Sequence, residues 1–377
     1  MFSGVSLDTS PPRRKDGVSV ITLKRGAMHE RAAHMLSDKE TRSRLRIFRL
    51  PPEDFDPLKA TKRQLTTYGL PHSPEKKTHP RQAALWRMHM ADRSKYLVPE
   101  LRIDRKFVRR GGYRGEPAPT GIPPVDHPFY TFDPRFLRRP DLAREDILVI
   151  RNLFAQTSNN WSGAYVTQPP SESFNNVYAT FNVPSAQPPA TAWNGTGWKN
   201  GMYQAATWIG LDGWNGPDVM QAGVWSVANV SRGSVTTTYS SWVEFWPAPP
   251  VFLDNFPVSP GDMLALTVCA PFTTTHAVAM FKNLTTGVAT NVGFDATPPT
   301  VLTGVVAEWI VEYASTPTVS SLANYGNVTF HDCVAGSRTQ ERDMLSANRI
   351  NMVDAGGSVI STGWLKSRSE VSCSYGP

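Results

Sequence analysis

The feature that most constrains this chain is the strand-like texture that begins at Asn159 and runs to the C-terminus. Val, Thr, Trp, Tyr and Phe dominate this half, charged residues are sparse, and ten of the 11 tryptophans lie after position 160. Short runs of β-branched and aromatic residues, broken by Gly, Pro and Asn, are typical of strands joined by tight turns. The pattern predicts strands over 162–167, 175–183, 203–211, 224–230, 236–246, 263–270, 277–283, 305–313, 328–331 and 349–353, with one short helix over 344–348.

Turn signals separate these runs at short intervals, and no helical segments alternate with them. Asp212-Gly213 and Pro260-Gly261 are two of the turn-forming pairs. Without βαβ alternation the strands are expected to be antiparallel, in a sandwich or a barrel. The roughly 215 residues of this half are too many for an immunoglobulin-type domain. We therefore predict an all-β antiparallel β-sandwich of two large sheets over 157–377, packed face to face.

Alternation along the predicted strands places carboxylate, amide and tryptophan side chains on shared faces. Successive side chains of a strand point to opposite sides, so residues two apart share a side. Four sets share a side in this way: Trp242, Glu244 and Trp246; Glu308, Ile310 and Glu312; Trp208 and Asp212; Gln221, Gly223 and Trp225. Such interleaving is compatible with a lined groove and equally with amphipathic aromatic residues that cover the edges of a core.

Residues 1–156 form a region of a different, basic character. Residues 1–150 contain 30 Lys and Arg against 18 Asp and Glu, a net charge of +12, whereas 151–377 contain 9 against 14, a net charge of −5. We expect this region to be partly disordered and partly helical: disorder over 1–56, short helices near 59–70 and 78–90, a linker over 112–140 and a strand over 146–153. Three interpretations are open: the run Arg102–Arg110 binds phosphate, the region is a solvated tail, or it binds the acidic half of its own chain.

The signature motifs of several enzyme classes are missing from this sequence. It contains no His-Glu-x-x-His, Cys-x-x-Cys or Gly-x-Ser-x-Gly, and no phosphate-binding or dinucleotide-binding loop, so neither a metal nor another cofactor is expected. No nucleic-acid-binding motif accompanies the basic charge, so we expect no nucleic-acid partner. No run approaches the roughly 18 apolar residues of a membrane helix. The remaining candidates are hydrolysis by a carboxylate with a polar amide, or a sugar-binding groove.

The chain has three cysteines, Cys269, Cys333 and Cys373, which permit at most one disulfide. Cys333 and Cys373 are the candidate pair, and three reduced buried thiols are an equally compatible arrangement. The N-terminal residues also lack the apolar core of a secretory signal, so the cellular location is open at this stage.

Eight short segments of the strand-rich half occur in an order that matches a known family. They are Asn160-Trp-Ser-Gly-Ala164, Asn182-Val-Pro-Ser185, Thr207-Trp-Ile-Gly-Leu-Asp-Gly213, Met220-Gln-Ala-Gly223, Trp242-Val-Glu-Phe-Trp-Pro247, Asn283-Leu-Thr-Thr-Gly287, Ala307-Glu-Trp-Ile-Val-Glu312 and Val371-Ser-Cys-Ser-Tyr375. Together they resemble the glutamic peptidases, or eqolisins, which are acid endopeptidases with a concanavalin-like (lectin-like) β-sandwich fold. The resemblance covers about 157–377.

The resemblance implies a catalytic pair and a substrate groove. The catalytic glutamine falls on Gln221, in its Gln-x-Gly context, and the catalytic glutamate falls on Glu312, with Glu308 as the alternative if the register differs. The substrate-binding positions that the resemblance implies are Trp208, Asp212, Trp242, Glu244 and Trp246. The chain departs from the family near Trp225, where an aspartate is frequent, and at Ser240 and Ser241, where an acid is common. These departures affect the expected subsite preference and pH optimum more than the reaction type.

The chemistry that this pair implies is consistent with the two residue types. An ionised Glu312 takes a proton from water and returns it to the leaving amine, and a glutamate with its ordinary pKa of about 4.3 suits that double role in acid. Gln221 offers an N–H to the developing oxyanion and a carbonyl to the water. The mechanism requires neither a metal nor a covalent intermediate.

The resemblance extends to the basic half. Tyr68-Gly-Leu-Pro71 and Tyr96-Leu-Val-Pro99 look like the leader region of bacterial relatives. We therefore interpret residues 1–156 as a propeptide, an intramolecular inhibitor that masks the groove at neutral pH and is cleaved near Leu153–Asn159 in acid. The resemblance further implies polypeptide substrates and export. We also expect a monomer that binds neither nucleic acid nor membrane.

Two other functions remain open on the sequence alone. One is a carbohydrate-binding sandwich that stacks sugars on aromatic side chains without catalysis. The other is a glycosidase with Glu244 and Glu312 as its paired carboxylates. Gln221 distinguishes the peptidase from these two alternatives, because neither of them requires a glutamine at this position.

Overall fold

The computed structural model describes residues 36–105, 144–168, 172–214, 216, 218–314 and 319–376. The basic region contains α1 (Asp38–Arg44), β1 (Leu45–Ile47), α2 (Lys62–Thr67), α3 (Pro80–Ala91), β2 (Lys95–Tyr96), β3 (Leu101–Ile103) and α4 (Arg144–Asn152). The C-terminal half contains β4 (Ala155–Ser158), β5 (Trp161–Thr167), β6 (Asn176–Asn182), β7 (Gly201–Leu211), β8 (Met220–Ser231), β9 (Ser234–Phe245), β10 (Val251–Leu253), β11 (Met263–Thr273), β12 (His276–Asn283), β13 (Val288–Asp295), β14 (Val306–Glu312), β15 (Val319–Leu322), β16 (Asn327–Gly336), β17 (Glu341–Arg342), β18 (Asn348–Val353), β19 (Val359–Ser367) and β20 (Glu370–Tyr375).

Two antiparallel sheets pack face to face. The first sheet has the order β18-β5-β14-β7-β8-β9-β10, and the second has the order β20-β16-β6-β11-β12-β13. Strand β19 pairs with both β18 and β20 and so joins the two sheets along one side. Three short strands add in parallel, β4 beside β18, β15 beside β7 and β2 beside β13. The predicted all-β antiparallel sandwich is confirmed.

The core lies between the two sheets and consists of large apolar side chains. Phe181, Phe245, Phe294 and Trp309 are fully buried in it. The Trp309 indole N–H donates to the Tyr178 carbonyl oxygen at 2.9 Å, which satisfies the one polar atom that this side chain carries into the core. Because Trp309 points inward, its neighbours Glu308 and Ile310 on β14 point to the outer face of the first sheet.

Residues 36–105, called here the strap segment, cover the exposed edges of both sheets. β1 pairs antiparallel with β13 at Val292–Phe294, and β2 pairs in parallel with the same strand at Val288 and Ala289. β3 pairs antiparallel with β10, the last strand of the first sheet. Both sheets therefore end in strands that the strap segment supplies, and the backbone groups at these edges are paired rather than open.

The helices of the strap segment pack on the outer face of the second sheet. Leu65, Leu70 and Met90 form a buried cluster with Met280 of β12. The guanidinium of Arg81 in α3 donates to Asp343 at 3.1 Å, Arg46 to Asp295 at 2.9 Å and Arg102 to Asp254 at 2.9 Å. For residues 36–105 the structure thus supports the interpretation that basic residues bind the acidic half of the chain, although partly exposed ion pairs of this kind contribute only about 0–1 kcal/mol each.

Two expectations for the basic half are wrong. Residues 38–47, expected to be disordered, form α1 and β1, because a capping box at Ser37 and Glu40 and pairing with β13 order them. Residues 146–153, expected to be a strand, belong mainly to α4. This helix is fixed by Asn152, whose side chain donates to the Leu365 carbonyl at 2.8 Å and accepts from the Leu365 N–H at 3.0 Å. The predicted linker over 112–140 lies outside the described residues.

The candidate disulfide between Cys333 and Cys373 is not formed. All three cysteines are buried free thiols. Cys373 lies opposite Val328, whereas the N–H of Cys333 bonds to Ser369 just before β20, so the two positions are offset by four residues along the chain. At about 3.3 Å per residue the two Cα atoms are roughly 13 Å apart, beyond the roughly 7 Å that a disulfide can bridge.

Candidate active site

The outer face of the first sheet carries three rows of side chains. Directly opposed residues of antiparallel strands share a face, so the strand register defines each row. The acid–amide row contains Tyr165, Glu308, Gly210, Gln221 and Glu244; the tryptophan row contains Gly163, Ile310, Trp208, Gly223, Trp242 and Phe252; the Glu312 row contains Trp161, Glu312, Ala206, Trp225 and Ser240. The face sharing predicted from alternation is confirmed for all of the residues that lie within strands.

Gln221 lies at the centre of the acid–amide row, on β8. Its side chain is fully buried, and its Nε2 donates to Oε2 of Glu244, its direct neighbour on β9, at 2.6 Å. Its other neighbour in the row is Gly210, which carries no side chain. The Oε1 atom of Gln221 is buried and makes no hydrogen bond within the described residues.

Glu312 lies at the end of β14 and is also buried, with an exposed fraction of 1%. Its Oε2 accepts a hydrogen bond from the indole Nε1 of Trp208 at 2.9 Å. The Trp208 ring in turn packs edge-on against Trp161, with ring centroids 4.8 Å apart. A carboxylate that accepts an N–H in an aromatic surrounding is held in one orientation, with one of its lone pairs already used.

Gln221 and Glu312 share the face but not the row. Glu312 faces Ala206 of β7 and Gln221 faces Gly210 of the same strand, so four residues and two strand-to-strand steps separate them. With about 3.3 Å per residue and about 4.8 Å per strand, their Cα atoms lie roughly 16 Å apart in a flat sheet. Trp208 stands between the two rows.

Glu308 is the acid of β14 that shares a row with Gln221. It is fully buried, its Oε1 accepts the backbone N–H of Trp214 at 3.2 Å, and its Oε2 has no hydrogen-bond partner within the part of the chain that the structure describes. Burial raises the pKa of Glu308 well above its ordinary value, and the nearby carboxyl of Asp212 raises it further. Glu308 is therefore a neutral acid in the pH range in which an ordinary glutamate ionises.

Asp212 binds the backbone of the loop that leads into β14. It follows β7 with a left-handed φ of 62°, and its carboxylate accepts the backbone N–H groups of Thr303, Gly304 and Val305 at 2.6–2.9 Å. Burial raises the pKa of Asp212, and these hydrogen bonds oppose the rise. Since both carboxylate oxygens bind the 303–305 segment, Asp212 fixes the approach to β14, the strand that carries Glu308 and Glu312.

Aromatic side chains surround the acids and the amide on this face. Trp225 and Trp242 are buried with ring centroids 5.5 Å apart, and Phe252 extends the tryptophan row to β10. The guanidinium of Arg102, from the strap segment, lies 5.0 Å from the Phe252 ring centroid. Trp246 is only half-buried and lies beyond the end of β9, so it belongs to the margin of the face.

Sequence reasoning did not single out Gln204, a second buried glutamine on this face. Its Oε1 accepts from the Trp225 indole at 2.7 Å and its Nε2 donates to the Ala314 carbonyl at 2.6 Å. Gln204 lies four residues before Trp208 on β7 and so points to the same side of the sheet, and this alternation could have identified it. In the described part of the chain, no group of three or more His, Cys, Asp or Glu side chains is arranged to hold a metal, and no helix is long and apolar enough to cross a bilayer.

Three solved structures are similar to this chain. They are scytalido-glutamic peptidase with a transition state analog inhibitor (24% identity, 58% of this chain and 98% of that chain, TM-score 0.47), SCP-B, a member of the eqolisin family of peptidases (24%, 58% and 98%, 0.43), and aspergilloglutamic peptidase from Aspergillus niger (28%, 46% and 99%, 0.41). No curated protein matches the chain.

The fold and the site define a β-sandwich with buried carboxylates and a buried amide on the outer face of one sheet. The model of the peptidase A4 family matches residues 159–375, more than half of the chain. The chain therefore belongs to the peptidase A4 family, the eqolisins, and is a glutamic-type peptidase. The domain is therefore neither a non-catalytic sugar-binding sandwich nor a carboxylate-pair glycosidase.

Proposed function

We propose that this peptidase is an acid-active endopeptidase in which Gln221 and Glu312 together bind and activate one water molecule. The observation that carries the proposal is that both side chains project from one buried, tryptophan-rich face, where Glu244 orients the first and Trp208 the second. Side chains of a strand stand roughly perpendicular to the sheet, so the two groups rise from the same face on either side of Trp208, and we propose that the attacking water and the scissile peptide bond lie between them.

We assign the role of general base to Glu312 rather than to Glu308. A base must be ionised before it can take a proton from water. Burial and the Asp212 carboxyl raise the pKa of Glu308 well above its ordinary value, so Glu308 is poorly suited to that role in acid, whereas the Trp208 N–H fixes the orientation of the Glu312 carboxyl group. Glu312 therefore takes the proton from water and delivers it to the leaving amine.

Gln221 acts on the other side of the same water. One of its two Nε2 hydrogens bonds to Glu244, and the second is available for the oxygen of the tetrahedral intermediate. Its carbonyl oxygen is available to accept from the attacking water. Stabilisation of an oxyanion by a fixed amide donor of this kind typically contributes about 3–4 kcal/mol to the lowering of the barrier.

Cleavage of an unfolded protein tests the proposed activity. The chain, incubated at pH 3–5 with a reduced and alkylated protein in the presence of pepstatin, is expected to produce internal peptides, and to produce far fewer at pH 7. Activity is expected in acid because the proposed site needs a protonated carboxyl group and an ionised carboxyl group at the same time. Failure to cleave at any pH from 2 to 7, after removal of the basic region, contradicts the proposed activity.

We further propose that residues 1–156 are an intramolecular inhibitor of an exported zymogen and that acid removes them by cleavage near Leu153. The proposal is supported by the ion pairs between the strap segment and the acidic half, and by the exposure of Leu153 (70%) and Phe154 (41%) between α4 and β4. The next residues, Ala155–Ser158, pair with β18, and among them Gln156 is exposed whereas the other three are partly or fully buried.

Acid incubation followed by mass spectrometry of the new N-terminus tests this processing. The wild type is expected to be cut between residues 153 and 159, and the Gln221→Ala variant to remain intact, because the cut is made by the active site itself. An intact chain that already has full activity contradicts the inhibitory role. Identical cutting of the variant contradicts self-processing.

A further inference from the structure

We propose that Glu308 is a positioning residue for the reaction: its protonated carboxyl donates a hydrogen bond, through one water molecule, to Oε1 of Gln221 and fixes the orientation of the amide. The inference rests on the proposed function of Gln221 and adds a third carboxyl to the site, beside Glu312 and Glu244.

The register places Glu308 and Gln221 in the same row with a gap between them. Gly210 separates them on β7, so their Cα atoms are roughly 10 Å apart, two strand spacings. A Cβ added at Gly210 would lie 3.3 Å from the Gln221 Cβ and 2.9 Å from the Trp208 ring. The absence of a side chain at this position therefore leaves the two polar groups free to approach each other across β7.

Two side-chain oxygens of the acid–amide row have no hydrogen-bond partner within the described residues. Nε2 of Gln221 is directed at Glu244 on β9, which turns its Oε1 away from that acid. Oε1 of Gln221 and Oε2 of Glu308 are both buried and both unpaired within the described residues. Two acceptors cannot satisfy each other, but a protonated carboxyl is a donor, and a buried unsatisfied polar atom costs about 1–3 kcal/mol.

The surroundings of Glu308 keep the proton on this carboxyl. Asp212, just after β7, is an acid; Tyr165, opposite on β5, is a phenol; Glu244 is a further acid in the row; and within the described residues the Trp214 N–H donates to the Glu308 carboxyl group. No cation contributes to the electrostatics of Glu308 among the described residues. Burial, and then the Asp212 carboxyl, raise the pKa of Glu308, and the Trp214 N–H opposes the rise, so the donor is present in acid and is lost when the pH rises through that raised pKa.

The decline of activity at higher pH follows from this arrangement. Activity falls as Glu308 ionises, because the proton that orients Gln221 is then gone and a negative charge faces the amide oxygen. The decline towards neutral pH is thus assigned to Glu308.

Substitutions at position 308 test the assignment with the processed enzyme and a peptide substrate. Glu308→Gln keeps a donor that cannot ionise, and is expected to retain kcat within about threefold at acid pH and to move the alkaline decline of kcat to higher pH. Glu308→Leu removes the donor and is expected to lower kcat about tenfold with little change in KM. Glu370→Gln, the same change on β20 of the second sheet, serves as the control.

Two outcomes overturn the inference. If the pH profile of Glu308→Gln coincides with that of the wild type, Glu308 does not set the decline, and this holds even if Glu308→Leu fails to fold. If Glu308→Gln abolishes activity while Glu312→Gln retains it, Glu308 is the general base. Failure of the proposed function itself is a separate result, namely activity that survives Gln221→Ala.

Discussion

Replacing either member of the proposed pair is expected to abolish measurable peptidase activity while leaving the fold intact. Gln221→Ala should lower kcat about 100- to 1,000-fold, the usual effect of removing one oxyanion donor. Glu312→Gln should lower kcat about 100- to 10,000-fold, because the isosteric amide accepts the Trp208 N–H but cannot take a proton from water. Steady-state cleavage of a fluorogenic peptide at acid pH measures both losses.

Matched controls separate chemistry from folding in this experiment. Gln204→Ala removes another buried glutamine from the same strand face, one that bonds Trp225 and Ala314 rather than an acid, and should affect stability more than kcat. Glu370→Gln, on the second sheet, breaks a partly exposed ion pair with His331 and should leave kcat unchanged. Near-ultraviolet circular dichroism of each variant reports whether the tryptophan-rich face is preserved. Activity within tenfold of wild type in either Gln221→Ala or Glu312→Gln contradicts the assignment.

Acidification is expected to loosen the contact between α3 and the second sheet, and His89 is the residue responsible. His89 is 4% exposed, and its ring contacts Tyr178, with ring centroids 5.1 Å apart. The ammonium of Lys282, which is fully buried, donates to the His89 carbonyl at 2.5 Å and pairs with Asp92 at 3.1 Å. Burial, and then the charge of Lys282, lower the pKa of His89 to about 4.

The direction of the pH effect follows from this lowered pKa. A free histidine has a pKa of about 6.5, so the packed state disfavours the protonated ring. The packing is at full strength above pH 6.5 and weakens as the pH falls towards 4, by up to about 3 kcal/mol for a difference of this size. The window coincides with the acid range in which we propose that the basic region is removed.

Hydrogen exchange of the α3 amides at pH 7 and pH 4, corrected for intrinsic rates, measures this loss. Wild type is expected to lose about 3 kcal/mol of opening free energy, and His89→Gln, which cannot be protonated, to lose much less. His72→Gln is the matched control, because His72 lines the same cavity beside α3 but is only half-buried. Equal losses in wild type and His89→Gln would show that other groups drive the effect.

Sequence reasoning recovered the strand-rich half because its signals are local. Alternation in β9 and β14 was sufficient to place Glu244, Glu308 and Glu312 on one side of a sheet, and the structure agrees. It missed β13 and β19, whose polar and glycine-containing sequences are strands only because long neighbours pair with them. Pattern cannot supply that information, since pairing across a sheet is a tertiary effect.

The strap segment was beyond the reach of sequence patterns for a related reason. β1, β2 and β3 have two or three residues each, and their partners lie about 150 to 250 positions away in the chain. The function of Asp212 was hidden in the same way, because the amides that it binds belong to residues 303–305. Its Asp-Gly context identified a turn, but not the loop that the turn anchors.

The short strands of the strap segment bear on the processing that we propose. Departure of residues 36–105 would expose the edges of β10 and β13, each a line of unsatisfied amide and carbonyl groups that can pair with another extended chain. The proposed cut would therefore create two aggregation-prone edges at the same moment as it frees the active site. Export of the unprocessed form would keep these edges paired until the protein is dilute, which would tie the timing of the cut to colloidal solubility as much as to catalysis.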